Sequence, residues 1–409
     1  MSTVINTSSP EPAPASSQAA PPAPPAPAAR ANRAWLATSL PIYLAIVAIW
    51  IYFDTQTSGR FVGARNLSEM FQEFSYKPLL AIGVVFVLLL GEIDLSVGYL
   101  TLLAATCVAV FSATLHQSAV VSIVAGIVVA VALGLTQGFL ISFVRMPAFV
   151  VTLGGFLIFE GIAYHILSGA TINVSDPTIG LLGTAYLPPW VSWLIVGVAI
   201  AMSLVTGIAE RRQRERTKLV VPPLGKTLVR TAVVGGILAL IVAYLDSYRG
   251  VPLVLAILGF FVVVASFILT RTRFGRHVFA VGGNVEASRR AGIKTVSLRW
   301  IVFGISGLFA GIAGVLLVGY AQAASTTAAG PDLLLDAISI AVIGGVSLTG
   351  GRGSVPSVLL GGLLIASLDS GLNLMSIDSN LVYVIKGVIL LVAIFLDVLG
   401  KRRTSPARL

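Results

Sequence analysis

Charge is what this sequence has least of. Only 11% of its 409 residues are Asp, Glu, Lys or Arg, while 56% are hydrophobic; a soluble domain carries about 25% charged residues. An aqueous fold of this length has no place to hide so much apolar surface, so water is excluded as the main solvent. Cysteine is nearly absent: Cys107 stands alone in an apolar run, which excludes an intramolecular disulfide and reads as a small packing residue. The three histidines, His116, His165 and His277, are scattered, and no metal site is expected. The first apolar run begins only near Leu36, too late for a signal peptide. A phosphate-binding loop is missing as well: Gly225-Lys226-Thr227 would need its leading glycine at position 220, which is Val220. ATP hydrolysis by this chain is therefore not expected, nor is any other enzymatic activity, because no nucleophile–base arrangement stands out.

What is present is a series of apolar runs near the length that crosses a bilayer, about 20 residues. They fall at 36–53, 74–90, 97–115, 119–144, 148–167, 190–209, 228–245, 252–270, 300–321, 333–348, 355–374 and 381–399. The fold class follows: an all-α integral membrane protein, a polytopic bundle of about 10–12 transmembrane helices. Some segments are broken or re-entrant, with the short run at 333–348 the clearest case. The 41 glycines suit close helix–helix approach in lipid. Residues 1–33, rich in Pro, Ala and Ser, read as a disordered cytoplasmic tail. Residues 34–400 form the membrane domain, and 401–409 a basic cytoplasmic C-terminus.

The net charge of +10 is not spread as a nucleic-acid-binding surface would be. Lys and Arg collect in alternate connections: Arg30 and Arg33, Arg145, 211–230, 271–299, Arg352 and 401–408. The intervening connections hold Arg60, Arg65 and Arg249, and Lys77 and Lys386 sit near span ends. Cytoplasmic loops retain Lys and Arg, so both termini are expected on the cytoplasmic side of the membrane.

The connection at 271–299 predicts a short helix. Asn284 suits an N-cap, Glu286 the first turn and Gly292 the C-terminal stop. Such a helix is marginal alone in water, so it needs a docking partner. Glu286-Ala287-Ser288 with Gly292 resembles the Glu-Ala-Ala-x-x-x-Gly coupling motif of ABC importer permeases, with serine for the second alanine. Further blocks, in order along the chain, resemble the ribose/xylose-type branch of that family. They are Gly91-Glu92-Ile93-Asp94-Leu95-Ser96-Val97-Gly98, Pro147 to Gly154, Phe274-Gly275-Arg276 with Ala280 to Asn284, Ile343 to Leu348, and Ala366 to Asp369. Glu160 stands where that branch's pattern has arginine.

The resemblance implies a translocation subunit of an ATP-driven importer for a monosaccharide, seated in the inner membrane of a bacterial cell. D-xylose comes first on the extra pair of spans around Arg211–Arg216 and on Tyr248-Arg249-Gly250-Val251-Pro252. It also implies partners: a cytosolic ATPase that carries the ATP-Mg, a periplasmic sugar-binding protein, and a second copy of the permease. Asn284, Glu286, Ala287 and Gly292 would couple to the ATPase. The alternative is an ion-coupled secondary sugar transporter that uses Glu92, Asp94 or Glu160 as relays.

Acidic residues at membrane depth are functional candidates. Glu92, Asp94, Ser96 and Gly98 lie in a glycine-bounded break between two runs. They are expected to line the sugar path, to lock the break through hydrogen bonds, or, for Asp94 with Ser96, to cap the following helix. A second break at 344–354 echoes the first. Asp369, with Asp336, Glu160 and His165, is expected in the polar interior, either on the path or as a packing hydrogen-bonder.

Overall fold

In a computed structural model of the chain, residues 28–217, 221 and 223–404 are described. Most of the tail expected to be disordered therefore lies outside the described residues, as do 405–409 of the basic C-terminus. Helix α1 (Ala28–Gln56) begins before the boundary read from composition. By internal contacts the chain divides into residues up to Leu40 and from Pro41 onward, and the following concerns the second unit.

Helices account for most of it. After α1 come α2 (Ala64–Phe74) and α3 (Tyr76–Leu89), which together make one rod. Next is α4 (Val97–Ala109), which ends in a π turn at Val110–Thr114. Then follow α5 (Ala119–Ser142), α6 (Ala148–Leu167), the short α7 (Pro177–Thr184), α8 (Pro189–Arg216), α9 (Leu224–Asp246) and α10 (Leu253–Arg271). The expected coupling connection holds α11 (Arg273–Gly283) and α12 (Val285–Arg290). The last helices are α13 (Thr295–Ala321), α14 (Pro331–Ile343), α15 (Ser357–Leu374) and α16 (Ser379–Thr404). Two-residue strands β1 (Ile172–Asn173) and β2 (Ala323–Ala324) pair antiparallel.

Nine helices among the described residues are long and apolar enough to cross a membrane, and α1 and α16 supply shorter apolar stretches. The run read at 333–348 stops at Ile343, where Gly344 and Gly345 break it. At about 1.5 Å per residue, α14 is too short to span, which fits the re-entrant reading.

The centre of the bundle is α13 with the α2–α3 rod, both buried over most of their length, whereas α8 and α9 are buried over less than a quarter of theirs. Small residues explain the centre. A Cβ added to Gly307 would meet the Ala130 backbone and Gly134, and one added to Gly134 would meet Phe303 and Gly307. In lipid, apolar faces gain little from mutual burial, so backbone approach of this kind supplies the packing energy.

The charged connections segregate. Gly138, near the Arg145 end of α5, packs on Trp300 at the start of α13, so Arg145 lies at the same end as the 271–299 connection. Leu187, before α8, bonds Val251, before α10, which sends the Arg211–Arg216 end of α8 and Arg271 toward that basic end. Arg249 lies over Tyr186 at the opposite end.

Candidate functional site: two helix breaks and the coupling arm

The first break, residues 91–96, is non-helical backbone between α3 and α4. Asp94 is 3% exposed. Its Oδ1 accepts the Ser96 amide at 3.0 Å and the Ser96 hydroxyl at 2.7 Å, and its Oδ2 accepts the Ser306 hydroxyl of α13 at 3.0 Å. Ser96 also accepts from the Gln137 amide of α5 at 2.9 Å. One carboxylate thus ties the break to α13 and, through Ser96, to α5. The expected cap is not formed. Ser96 occupies the N-cap position of α4 without a side-chain bond to the helix amides. Asp94 turns back on Ser96 and across to Ser306 instead, because closing the break satisfies both carboxylate oxygens at once. Gly98 is needed for contact: a Cβ there would overlap the Gly330 carbonyl oxygen at the start of α14.

Glu92 faces Arg299 near the start of α13, with Oε1 2.6 Å from Nε. The contact is charge on charge rather than an aligned hydrogen bond, since Arg299 Nε and Glu92 Oε2 have no aligned partner among the described residues. Sequence reasoning placed Arg299 in a loop and missed this pair. A carboxylate at a membrane break calls for a cation, and that was the available signal.

Asp369 does not join the break. It meets Lys77 at 2.7 Å and Lys386 at 2.7 Å, and both lysines also reach Asp336, at 3.3 and 3.1 Å. The result is a buried square of alternating charge that fastens α3, α14, α15 and α16. Asp336 and Asp369 are both buried, and their partners are lysines that read, in sequence, as span-end residues.

The second break, expected at 344–354 and non-helical over 344–356, reaches the first. The Gly351 amide donates to the Leu89 carbonyl at 2.9 Å, and Gly350 packs on Gly91. Both meet the α11–α12 arm, the expected coupling connection. A Cβ on Gly282, near the end of α11, would overlap the Leu89 carbonyl and crowd the Gly351 amide. From there the arm turns into α12. Asn284 Oδ1 accepts the Ala287 amide at 2.9 Å, and Glu286 pairs with Arg289 and Arg290 at 2.8 and 3.2 Å. Ile293 and Gly292 donate to the Ser288 and Arg289 carbonyls, with Gly292 at φ +81°, which is the reciprocal C-terminal closure that favours glycine. The capped helix read from Asn284, Glu286 and Gly292 is present. Ser288 is its buried residue, while Glu286 and Ala287 face outward. No group of His, Cys, Asp and Glu able to hold a metal occurs among the described residues.

Residues 66–394 match the family described as branched-chain amino acid transport system / permease component. The chain belongs to this family of transport permeases. The xylose transport system permease protein XylH of Haemophilus influenzae is 34% identical over 370 residues, 90% of this chain and 98% of the relative. The XylH of Escherichia coli is 35% identical over 360 residues, 88% and 91% of the two chains. The ribose import permease protein RbsC of Escherichia coli is 29% identical over 367 residues, 90% and 95%. No solved structure matches the chain. Family membership makes this a multi-pass membrane permease rather than an enzyme, and it gives no support to the ion-coupled alternative.

Proposed function

We propose that the chain is the translocation subunit of an ATP-driven importer of the ABC class, carrying a monosaccharide, with D-xylose as the first candidate. The observation that carries the ATP-driven part is the coupling arm. An outward-facing, fully capped helix at the basic end is joined, through Gly282, to both breaks in the bundle. A cytosolic ATPase holding ATP-Mg would grip α12, and its closure would move α11 against Leu89 and Gly351. The sugar follows from the xylose permeases to which the chain is similar.

In this reading the basic end is cytoplasmic, by the retention of Lys and Arg on that side, and both termini lie there, in the inner membrane of a bacterium. A periplasmic binding protein delivers the sugar to the opposite end, and two permease copies pair. The same reading makes Glu92, Asp94, Ser96 and Gly98 holders of the break beside the path, and places Asp369 in a clamp apart from it. Asn284, Glu286, Ala287 and Gly292 keep the coupling role.

The experiment is uptake of labelled D-xylose and D-ribose by cells whose only copy of this permease is altered. Deletion of the chain should abolish uptake of one of them, and depletion of cellular ATP with the proton gradient held should do the same. Uptake that persists without ATP would overturn the reading.

A further inference from the structure

A cluster outside both breaks has the chemistry to touch the transported solute. Phe156, Glu160 and Tyr164 recur every fourth residue on α6, so they form one stripe. All three surround Tyr99 of α4. The Tyr99 ring stands edge-on to Phe156 at 4.6 Å and to Tyr164 at 6.1 Å. Its hydroxyl donates to Glu160 Oε1 at 2.6 Å. Tyr164 donates to the Thr326 carbonyl at 3.3 Å, in the connection that runs to Gly330.

Glu160 sits well inside a span and pairs with no cation among the described residues. It is half-buried, and its neighbour Gly161 faces open space. A carboxylate turned toward lipid is costly, so such residues face a bundle interior or a water-filled path. Below the stripe the polar groups continue. Gly155, one residue before Phe156, packs on the Gln137 amide, which reaches Ser96, and the Thr152 hydroxyl reaches the Ile93 carbonyl at 3.4 Å. From Tyr164 to Thr152 is roughly 18 Å along the helix. Hydrogen-bonding groups therefore follow this side of α6 from the Thr326 connection to the first break, with Glu160 and Tyr164 open and Thr152 and Gln137 closed off between helices.

We propose that Phe156, Glu160 and Tyr164 form a contact station for an uncharged monosaccharide, with Tyr99 as the positioning residue that fixes the carboxylate. This rests on the reading of the chain as a sugar permease. The aromatic rings offer flat apolar faces for the C–H side of a sugar ring, and Tyr164 offers a hydroxyl at the edge. With Oε1 taken by Tyr99, Oε2 remains to accept a sugar hydroxyl. A carboxylate that pairs with no cation among the described residues also disfavours anionic solutes such as sugar phosphates.

The test uses single thiols in the full chain, in membrane vesicles, on a Cys107→Ala background. Glu160→Cys is compared with Ile158→Cys, about 200° away around the helix; Tyr164→Cys replaces the first if it does not insert. A membrane-impermeant thiol reagent should modify position 160 or 164 at least tenfold faster than position 158, and D-xylose should slow that reaction at least threefold. No modification at 160 and 164 would overturn the water-lined stripe, and modification unaffected by D-xylose and D-ribose alike would overturn the sugar contact. ATP-driven uptake by the parent chain is measured beside it. Its absence removes the importer reading, whereas its presence with either negative thiol result removes the station alone.

Discussion

The Leu89 carbonyl, at the end of α3, accepts the amide of Gly351 across 2.9 Å. This single bond ties the second break to the helix end that leads into the first. The coupling arm touches the same spot, because Gly282 has no side chain to keep it away. Three chain segments therefore share one small junction, and movement of any one is felt by the others.

Replacing Gly282 with valine should force this junction apart. Uptake should fall at least tenfold while the chain still inserts and the ATPase still assembles. The measurement is transport against ATP hydrolysis in the same vesicles; equal loss of both would point to misfolding instead.

At the tip of the arm, Gly292→Val should cost about 1–2 kcal/mol locally, because φ there is left-handed. Glu286→Lys turns two attractive pairs, with Arg289 and Arg290, into repulsions. Both variants should insert normally, and both should hydrolyse ATP without proportionate sugar uptake. Normal uptake in both would remove the docking role.

The Glu92–Arg299 pair gives a stability prediction. Glu92 is 10% and Arg299 32% exposed at the side chain, so removing one partner should cost less than the about 3–5 kcal/mol of a fully buried pair, and Arg299→Met should still lower the thermal midpoint of the detergent-solubilised protein. Adding Glu92→Leu should restore part of the loss. A double variant less stable than Arg299→Met by the full cost of Glu92→Leu alone would show that the two charges are not coupled.

Asp94→Ala should loosen the first break rather than weaken sugar affinity directly, since the residue is buried and both its oxygens are occupied. Limited proteolysis around residues 91–96 should speed up. The half-saturating sugar concentration should stay within about twofold; a larger change would place Asp94 on the path.

Much of this was legible in the sequence. Apolar runs located the spanning helices because lipid permits little else to cross it. Asn284, Glu286 and Gly292 announced α12 because capping is local chemistry. The missed features are those that depend on which helices meet. Lys77 and Lys386 read as span-end residues, since nothing nearby in sequence points to Asp336 and Asp369. Asp94 preceding a helix reads as a cap, and only the position of Ser306 on α13, 212 residues away, turns it into a tie. Glu160 and Tyr99 are 61 residues apart, and their meeting depends on how α4 lies against α6.

The square of Lys77, Asp336, Lys386 and Asp369 sums to zero charge, and Glu73, 3.6 Å from Lys77, adds one negative charge at its more exposed rim. Shifting the square along the membrane normal would carry no net charge through the electric field, whereas one lone charge would exchange about 2.3 kcal/mol per 100 mV. Any response of α3, α14, α15 and α16 to membrane voltage at that point therefore falls to Glu73 alone.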